Sequence, residues 1–307
     1  MSDTLFLILG FVTLFMSGKY LVVGSVQLAK LFKIPTLIVG LTIVSFGTSA
    51  PELIISLKAA LSGHPDIAIG NVVGSNISNI ALVLGITAII FPIPVASKLL
   101  KFDWPIMMGL SILLFIFGLS GFLTWWNGLF LILAIIIYNV ISVIKGRQNS
   151  ETEEYNSVVP WYWSVLIIAA SSVGLIFGAD WLVNGASGLA RNFGISERII
   201  SVSIIAFGTS VPELSTSVIA AFKKETDISI GNIIGSNIFN IAAILGITSL
   251  VAPISVNKVI LWSDMLWMLG ISLLLLLLML GKTGRLKRWS GVVLILSYSL
   301  YIYFLLK

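Results

Sequence analysis

Gly47-Thr48-Ser49-Ala50-Pro51-Glu52 sits inside an apolar run over residues 35–61, and the chain repeats it as Gly208-Thr209-Ser210-Val211-Pro212-Glu213 inside a second run over 196–222. Each run is long enough to cross a bilayer, so each carries a carboxylate to membrane depth. A charge there costs at least about 2.5–3.5 kcal/mol, which makes an intramembrane Glu a functional residue by default. Two such acids in one chain imply a cation that neutralises them.

The composition around these motifs is that of an integral membrane protein. The chain is 58% hydrophobic and 10% charged with mean hydropathy +1.07, against roughly 25% charged residues in a soluble domain. Ten apolar stretches follow one another, at 4–29, 35–61, 67–92, 102–122, 125–144, 160–190, 196–222, 228–253, 260–281 and 288–306. They leave no room for a soluble domain between them, and the first reads as a retained helix, lacking a basic n-region and a small-residue cleavage site. The net charge of +5 is spread over loops, which argues for a lipid bilayer partner and against nucleic acid.

Loop charges set the orientation. Counting alternate loops, one side carries Lys30, Lys33, Lys98, Lys101, Lys145, Arg147, Lys223, Lys224, Lys282, Arg285, Lys287 and Arg288, the other only Lys58, Arg191, Arg198, Lys258 and Lys307. The Lys/Arg excess marks the cytoplasmic side, so a multi-pass cell-membrane protein is expected with both termini outside and the loop around 146–158 inside. Cysteine is absent, which excludes disulfides, thiolate metal sites and cysteine nucleophiles.

Thr48 and Thr209 are 161 residues apart. The same offset relates Gly24 to Gly185, Phe32 to Phe193, Asp66 to Asp227, Asn71 to Asn232, Asn79 to Asn240 and Pro92 to Pro253. The chain therefore divides into a first repeat at 1–145, a polar cytoplasmic linker at 146–159 and a second repeat at 160–307, each repeat with five spans. Because five is odd, the second repeat enters the membrane from the opposite side. The expected fold is all-α, ten transmembrane helices in two inverted five-helix repeats with helices 2, 3, 7 and 8 broken, as in many secondary transporters.

Pro51 removes a backbone donor and disfavours α geometry before it, so the second span should break between Ser45 and Pro51. Carbonyls freed there, with Thr and Ser hydroxyls and one carboxylate, form an oxygen-only set suited to Ca²⁺ and able to hold Na⁺. The same residues also read as capping boxes, Ser49-x-x-Glu52 and Ser210-x-x-Glu213, in which each Glu merely steadies its half-helix. The third and eighth spans supply Gly70-Asn71-Val72-Val73-Gly74-Ser75-Asn76-Ile77-Ser78-Asn79 and Gly231-Asn232-Ile233-Ile234-Gly235-Ser236-Asn237-Ile238-Phe239-Asn240. Their glycines allow close helix approach, and Asn71, Ser75 and Asn79 share one face that must point into the bundle. Interhelical hydrogen bonding would explain that stripe equally well. Lys19 and Asp180 are also 161 apart, with opposite signs; pairing across the axis and separate snorkelling both remain open, with a structural role favoured.

With both hexapeptides and both Gly-Asn-x-x-Gly-Ser-Asn-Ile-x-Asn stretches, the whole chain resembles the calcium/cation antiporter superfamily, and within it the prokaryotic sodium/calcium exchangers. The resemblance implies Ca²⁺ ligation by Glu52 and Glu213 with backbone oxygens of Thr48 and Thr209. It implies Na⁺ sites formed by Ser49, Ser210, Ser75, Ser236, the two glutamates and the carbonyls of Ser45 and Ala206, with Asn79 and Asn240 lining the centre. Archaeal and potassium-dependent relatives tend to carry Asp where this chain has Asn240, so no potassium requirement and a site of two negative charges are expected.

The function expected is secondary active antiport of Na⁺ for Ca²⁺ by alternating access, the alternatives being a Ca²⁺/H⁺ exchanger and a passive cation channel. No enzyme activity is expected, since His64 is the single histidine and no Ser has a recognisable base. No ATP-binding motif, no cofactor beyond the transported Ca²⁺ and Na⁺, and no obligate protein partner are implied.

Overall fold

The computed structural model describes residues 3–148, 160–194, 206–281 and 284–306. Eight helices among them are long and apolar enough to span a membrane: α1 (Asp3–Phe32), α4 (Pro65–Ile90), α5 (Leu99–Gly118), α6 (Trp125–Gln148), α7 (Trp161–Asn192), α9 (Thr226–Val251), α10 (Ile260–Met279) and α11 (Arg288–Leu306). A ninth span is the pair α2 (Thr36–Thr48) and α3 (Ala50–Leu61), bent by 46° at Ser49. Of the expected seventh span at 196–222, a turn of helix at Ala206–Gly208 and α8 (Val211–Phe222) are described. Its first part, with Arg198, lies outside the described residues, as do Lys282, Lys307 and most of the 146–159 linker.

Pro51 stands at the start of α3, where a missing N–H costs nothing. The break expected from Ser45 to Pro51 therefore shrinks to a single residue. Ser49 leaves helical geometry at ψ 8°, yet its N–H still reaches the Ser45 carbonyl at 2.9 Å and its own carbonyl accepts from Leu53 at 3.2 Å. The third and eighth spans are not broken at all, contrary to the expectation. Each runs straight through one π-helical turn, Asn79–Val83 in α4 and Asn240–Ile244 in α9. Neither span has an internal proline, so an extra residue is absorbed by wider i→i+5 turns and not by a rupture. Further π turns at Leu99–Asp103 and Ile260–Asp264 again lie 161 apart.

Helices of hydrocarbon-embedded proteins gain little from mutual hydrophobicity, so close backbone approach must hold them together. A Cβ on Gly10 would strike the Leu182 backbone, one on Gly24 would meet the Ser164 carbonyl at 3.2 Å, and one on Gly185 would strike Leu7. Contacts that climb α1 descend α7, so these two long helices, equivalent in the repeat, run antiparallel. A second seam joins the third span of each half to the last span of the other: Gly85 of α4 against Gly291 of α11, and Gly246 of α9 against Gly128 of α6. The halves are interleaved. Four short strands complete the exchange, β1 (Ile93–Pro94) with β4 (Arg285–Leu286) and β2 (Phe122–Leu123) with β3 (Ile254–Ser255). Each pairing joins two loops of the same alternating class.

The spans α4 and α9 are the most enclosed, 72% and 83% buried over their apolar windows against 28% for α1 and 22% for α7. The polar motif stretches are thus carried at the centre, and the long helices form a flank. Peripheral to that centre, Tyr138 donates to the buried Asp103 at 3.1 Å and Tyr301 to Asp264 at 3.4 Å, a carboxylate–tyrosine clasp in each half. Replacing Gly291 or Gly128 by Leu should cost about 1–3 kcal/mol through overpacking, read as a lower unfolding midpoint in detergent; an unchanged midpoint would show that these seams are loose.

Candidate ion-binding site

Glu52 lies in the first turn of α3 and Glu213 in the first turn of α8, and both are fully buried. Neither carboxylate oxygen of Glu52 has a hydrogen-bond partner. Oε1 of Glu213 accepts from Ser49 Oγ at 3.0 Å and from Ser236 Oγ at 3.5 Å, and its Oε2 is unpartnered. No Lys or Arg among the described residues forms an ion pair with either acid; the ion pair present, Lys98–Asp103 at 3.9 Å, is elsewhere. The capping alternative fails on this geometry. Ser49 and Ser210 occupy the N-cap positions, yet neither makes a side-chain cap bond, and Ser49 directs its hydroxyl across the repeat boundary to Glu213.

The α4 and α9 stripes meet these turns from the sides. Thr48 Oγ1 lies 3.0 Å from Asn232 Oδ1 and 3.3 Å from Ser236 Oγ, so the first hexapeptide is tied to α9. Asn232 Nδ2 donates to Ser217 Oγ at 3.0 Å, and Asn71 Nδ2 donates to Ser56 Oγ at 3.1 Å, the same contact in both halves. At the π turns, Asn240 Nδ2 donates to Asn76 Oδ1 at 3.1 Å and Asn76 Nδ2 to the Asn237 carbonyl at 3.4 Å. Asn79 is fully buried with both amide atoms unpartnered, and the Asn240 Oδ1 and the hydroxyls of Ser75 and Ser210 are likewise unpartnered. Ser45 differs from expectation in part: its hydroxyl closes the π turn on the Gly40 carbonyl at 2.7 Å, and its carbonyl already accepts from Ser49 N–H. Thr209 stands apart from its twin, half-buried in the wall of a cavity with Pro51 and Gly208.

Four members of this network were not singled out from sequence: Ser56, Ser217, Asn76 and Asn237. The signal was present, since both pairs keep the 161-residue offset and lie within the same repeated segments. The expected close approach of helices at Gly70 and Gly74 is seen only at their twins. A Cβ on Gly231 would meet the Leu37 carbonyl at 2.7 Å, whereas Gly74 meets nothing within 4 Å. By the offset, the partner of Gly74 falls near 198–206, largely outside the described residues.

Chemically this is a cluster of hydroxyl, amide and carboxylate groups bearing two buried carboxylates and, among the described residues, no counter-charge. No third acid or His joins them among the described residues. Buried charges persist only when paired or coordinating a cation. Hydroxyl and carboxylate oxygens suit hard cations such as Ca²⁺.

The sodium/calcium exchanger protein family model matches residues 2–144 and 163–307. The chain is 37% identical over 313 residues to the putative antiporter CaxA of Alkalimonas amylolytica, covering 98% of each chain. It is 32% identical to the sodium/calcium exchanger MaX1 of Methanosarcina acetivorans over 97% of each. Among solved structures, the sodium-calcium exchanger NCX_Mj soaked with zero Na⁺ and Ca²⁺ superposes with a TM-score of 0.85 at 32% identity, over 99% of this chain and 98% of that one.

An unpartnered carboxylate strains the ion-free protein, so Glu52→Gln should raise its stability in ion-free buffer by about 1–3 kcal/mol. Chemical denaturation in detergent with chelator measures this; a loss of stability would mean that protein groups already satisfy the acid.

Proposed function

The chain belongs to the sodium/calcium exchanger protein family, and from that membership we propose that it exchanges Na⁺ for Ca²⁺ across the membrane by alternating access, using Glu52 and Glu213 as the shared ligands. The observation that carries the proposal is the pair of fully buried carboxylates with three of their four oxygens unpartnered and no ion pair to a basic residue among the described residues. Ca²⁺ would be held by both acids with the backbone oxygens of Thr48 and Thr209. Na⁺ would take overlapping positions at Ser49, Ser210, Ser75 and Ser236 with the same acids and the Ser45 and Ala206 carbonyls. Asn79 and Asn240 would line the centre, with Asn71 and Asn232 on the flanks anchoring Ser56 and Ser217.

Coupling follows from charge. An empty site keeps two uncompensated charges in a low-dielectric interior, which costs several kcal/mol per ion, so the protein rearranges readily only when a cation load neutralises them. That enforces exchange in place of leak. Two carboxylates balance one Ca²⁺, and a load of three Na⁺ would exceed them by one charge. The direction of energy flow is then set by the Na⁺ gradient.

The architecture proposed for this cycle is ten helices in two inverted repeats, with both termini outside and the linker cytoplasmic. It is supported by the antiparallel run of the equivalent helices α1 and α7 and by the loop-charge asymmetry. Protons could neutralise the same two acids, which makes Ca²⁺/H⁺ exchange the competing reading.

Ca²⁺ uptake into proteoliposomes with an imposed Na⁺ gradient tests the proposal directly. Uptake that follows the Na⁺ gradient is expected, and uptake driven by a pH gradient alone would replace Na⁺ by H⁺ as the coupling ion. Glu52→Gln and Glu213→Gln should each abolish Ca²⁺ transport in correctly folded protein; near-normal exchange in either sinks the shared-ligand assignment. Asn240→Asp, which adds a third acid, should alter ion selectivity or pH dependence, and an unchanged profile would remove Asn240 from the site.

A further inference from the structure

Asp180 lies in the middle of α7, twelve residues from its Asn192 end, which at 1.5 Å per residue is about 18 Å along the helix. An aspartate cannot snorkel that far, so its charge must meet water or a cation within the membrane. It makes no ion pair with Lys19, which settles one of the alternatives left open by the sequence. Instead Asp180 is exposed in the wall of a cavity of about 290 Å³, facing Pro51 and Ile55 of α3 and Gly208 and Thr209 before α8. Pro51 adjoins Glu52, and Thr209 is the second copy of the motif threonine. The cavity thus runs from the flank of the bundle to both hexapeptides, in the half that holds the His64 end of α3, and Asp180 is the one charged wall residue among those described.

At the symmetry-related place in the other half, α1 and α8 touch directly. There Lys19 replaces Asp180, Gly18 replaces Ala179 and Ser215 replaces Ile54. A Cβ on Gly18 would meet Ile219 Cδ1 at 2.8 Å and Ser215 Oγ at 3.1 Å, and Ser215 Oγ donates to the Leu14 carbonyl at 3.0 Å, sealing α1 onto α8. The place beside Asp180 is thus a cavity, whereas the place beside Lys19 is a direct helix contact that adjoins an apolar cavity of about 480 Å³ lined by Leu14, Phe15, Val211, Ser215 and Ile219. If the halves exchange these arrangements, the second route opens beside Lys19.

Resting on the exchange reading above, we infer that Asp180 is a cation-recruiting residue of the route on the His64 side, and that Lys19 makes the opposite route electrostatically unfavourable to cations. The two faces of the transporter then differ in apparent Ca²⁺ affinity because one helix position carries opposite charges in the two repeats. A carboxylate in a low-dielectric cavity raises the local concentration of a divalent cation, and an ammonium lowers it; such focusing changes association rates by about 10-fold to 10³-fold and fades with ionic strength. Asp180 acts on entry and not on the bound ion, which is enclosed by Glu52 and Glu213.

Initial rates of Ca²⁺ flux against Ca²⁺ concentration in right-side-out and inverted membrane vesicles test this. Asp180→Asn should raise the KM for Ca²⁺ by about threefold to tenfold from the His64 side, leaving kcat and the opposite-side KM unchanged. The difference should shrink in 0.5 M choline chloride, which cuts the screening length to below about 5 Å, and Asp180→Glu should restore the low KM. Lys19→Gln should lower the KM from the opposite side only. An unaltered KM on both faces in Asp180→Asn, or an equal fall of kcat on both faces that Glu does not rescue, overturns the inference. The KM is read under whichever counter-ion gradient drives flux, so a protein coupled to protons would overturn the Na⁺ reading and still decide this one.

Discussion

Two fully buried carboxylates, without a basic partner among the described residues, are the constraint around which the rest of the molecule is arranged. Desolvating each costs several kcal/mol, and no described residue repays it with opposite charge. The residues that do surround them are hydroxyls and amides, which can complete a cation's shell and cannot substitute for it. The bend at Ser49, the unpartnered Asn79 and the bond from Ser49 to Glu213 all follow from presenting oxygen to one shared place.

The surrounding architecture keeps that strained centre from collapsing. Glycine seams join each half to the last helix of the other, Gly85 with Gly291 and Gly246 with Gly128, so neither half can close on itself. The most enclosed spans, α4 and α9, carry the amide stripes, and their π turns place Asn79 and Asn240 at the widened positions. By contrast α1 and α7 pack chiefly against one another, through small residues and at the flank. The Gly18–Ser215 contact and the cavity at Asp180 both lie where this pair meets the motif helices.

Much of this was legible along the chain. Spans of about 20 apolar residues with two charges inside them are meaningful because a bilayer has one thickness and one low dielectric. The constant offset announced Glu52 with Glu213 and Asn79 with Asn240 as equivalent, and in the structure Ser49, at the start of the helix of Glu52, bonds Glu213. Propensity misled where tertiary context was stronger. The inverted-repeat architecture led to the expectation of broken third and eighth spans, but each runs through unbroken with one π turn. The serines Ser56 and Ser217 looked like ordinary helix-surface residues until the asparagines of the next span were seen to bond them.

The sequence by itself determined the membrane class, the spans, the internal repeat and the acids, because each is a one-dimensional property: a run of apolar residues, a count of loops, a fixed offset. Only the tertiary structure decided what those residues do to one another. Ser49 could have capped its own helix and instead bonds Glu213. Lys19 and Asp180 could have paired and instead stand apart, Asp180 in a cavity wall and Lys19 beside the Gly18 contact of α1 with α8. The physical reason is that capping, pairing and coordination compete for the same donors at similar energies. Which of them wins depends on the distances between helices, and those are set by close backbone contacts between residues far apart in the chain.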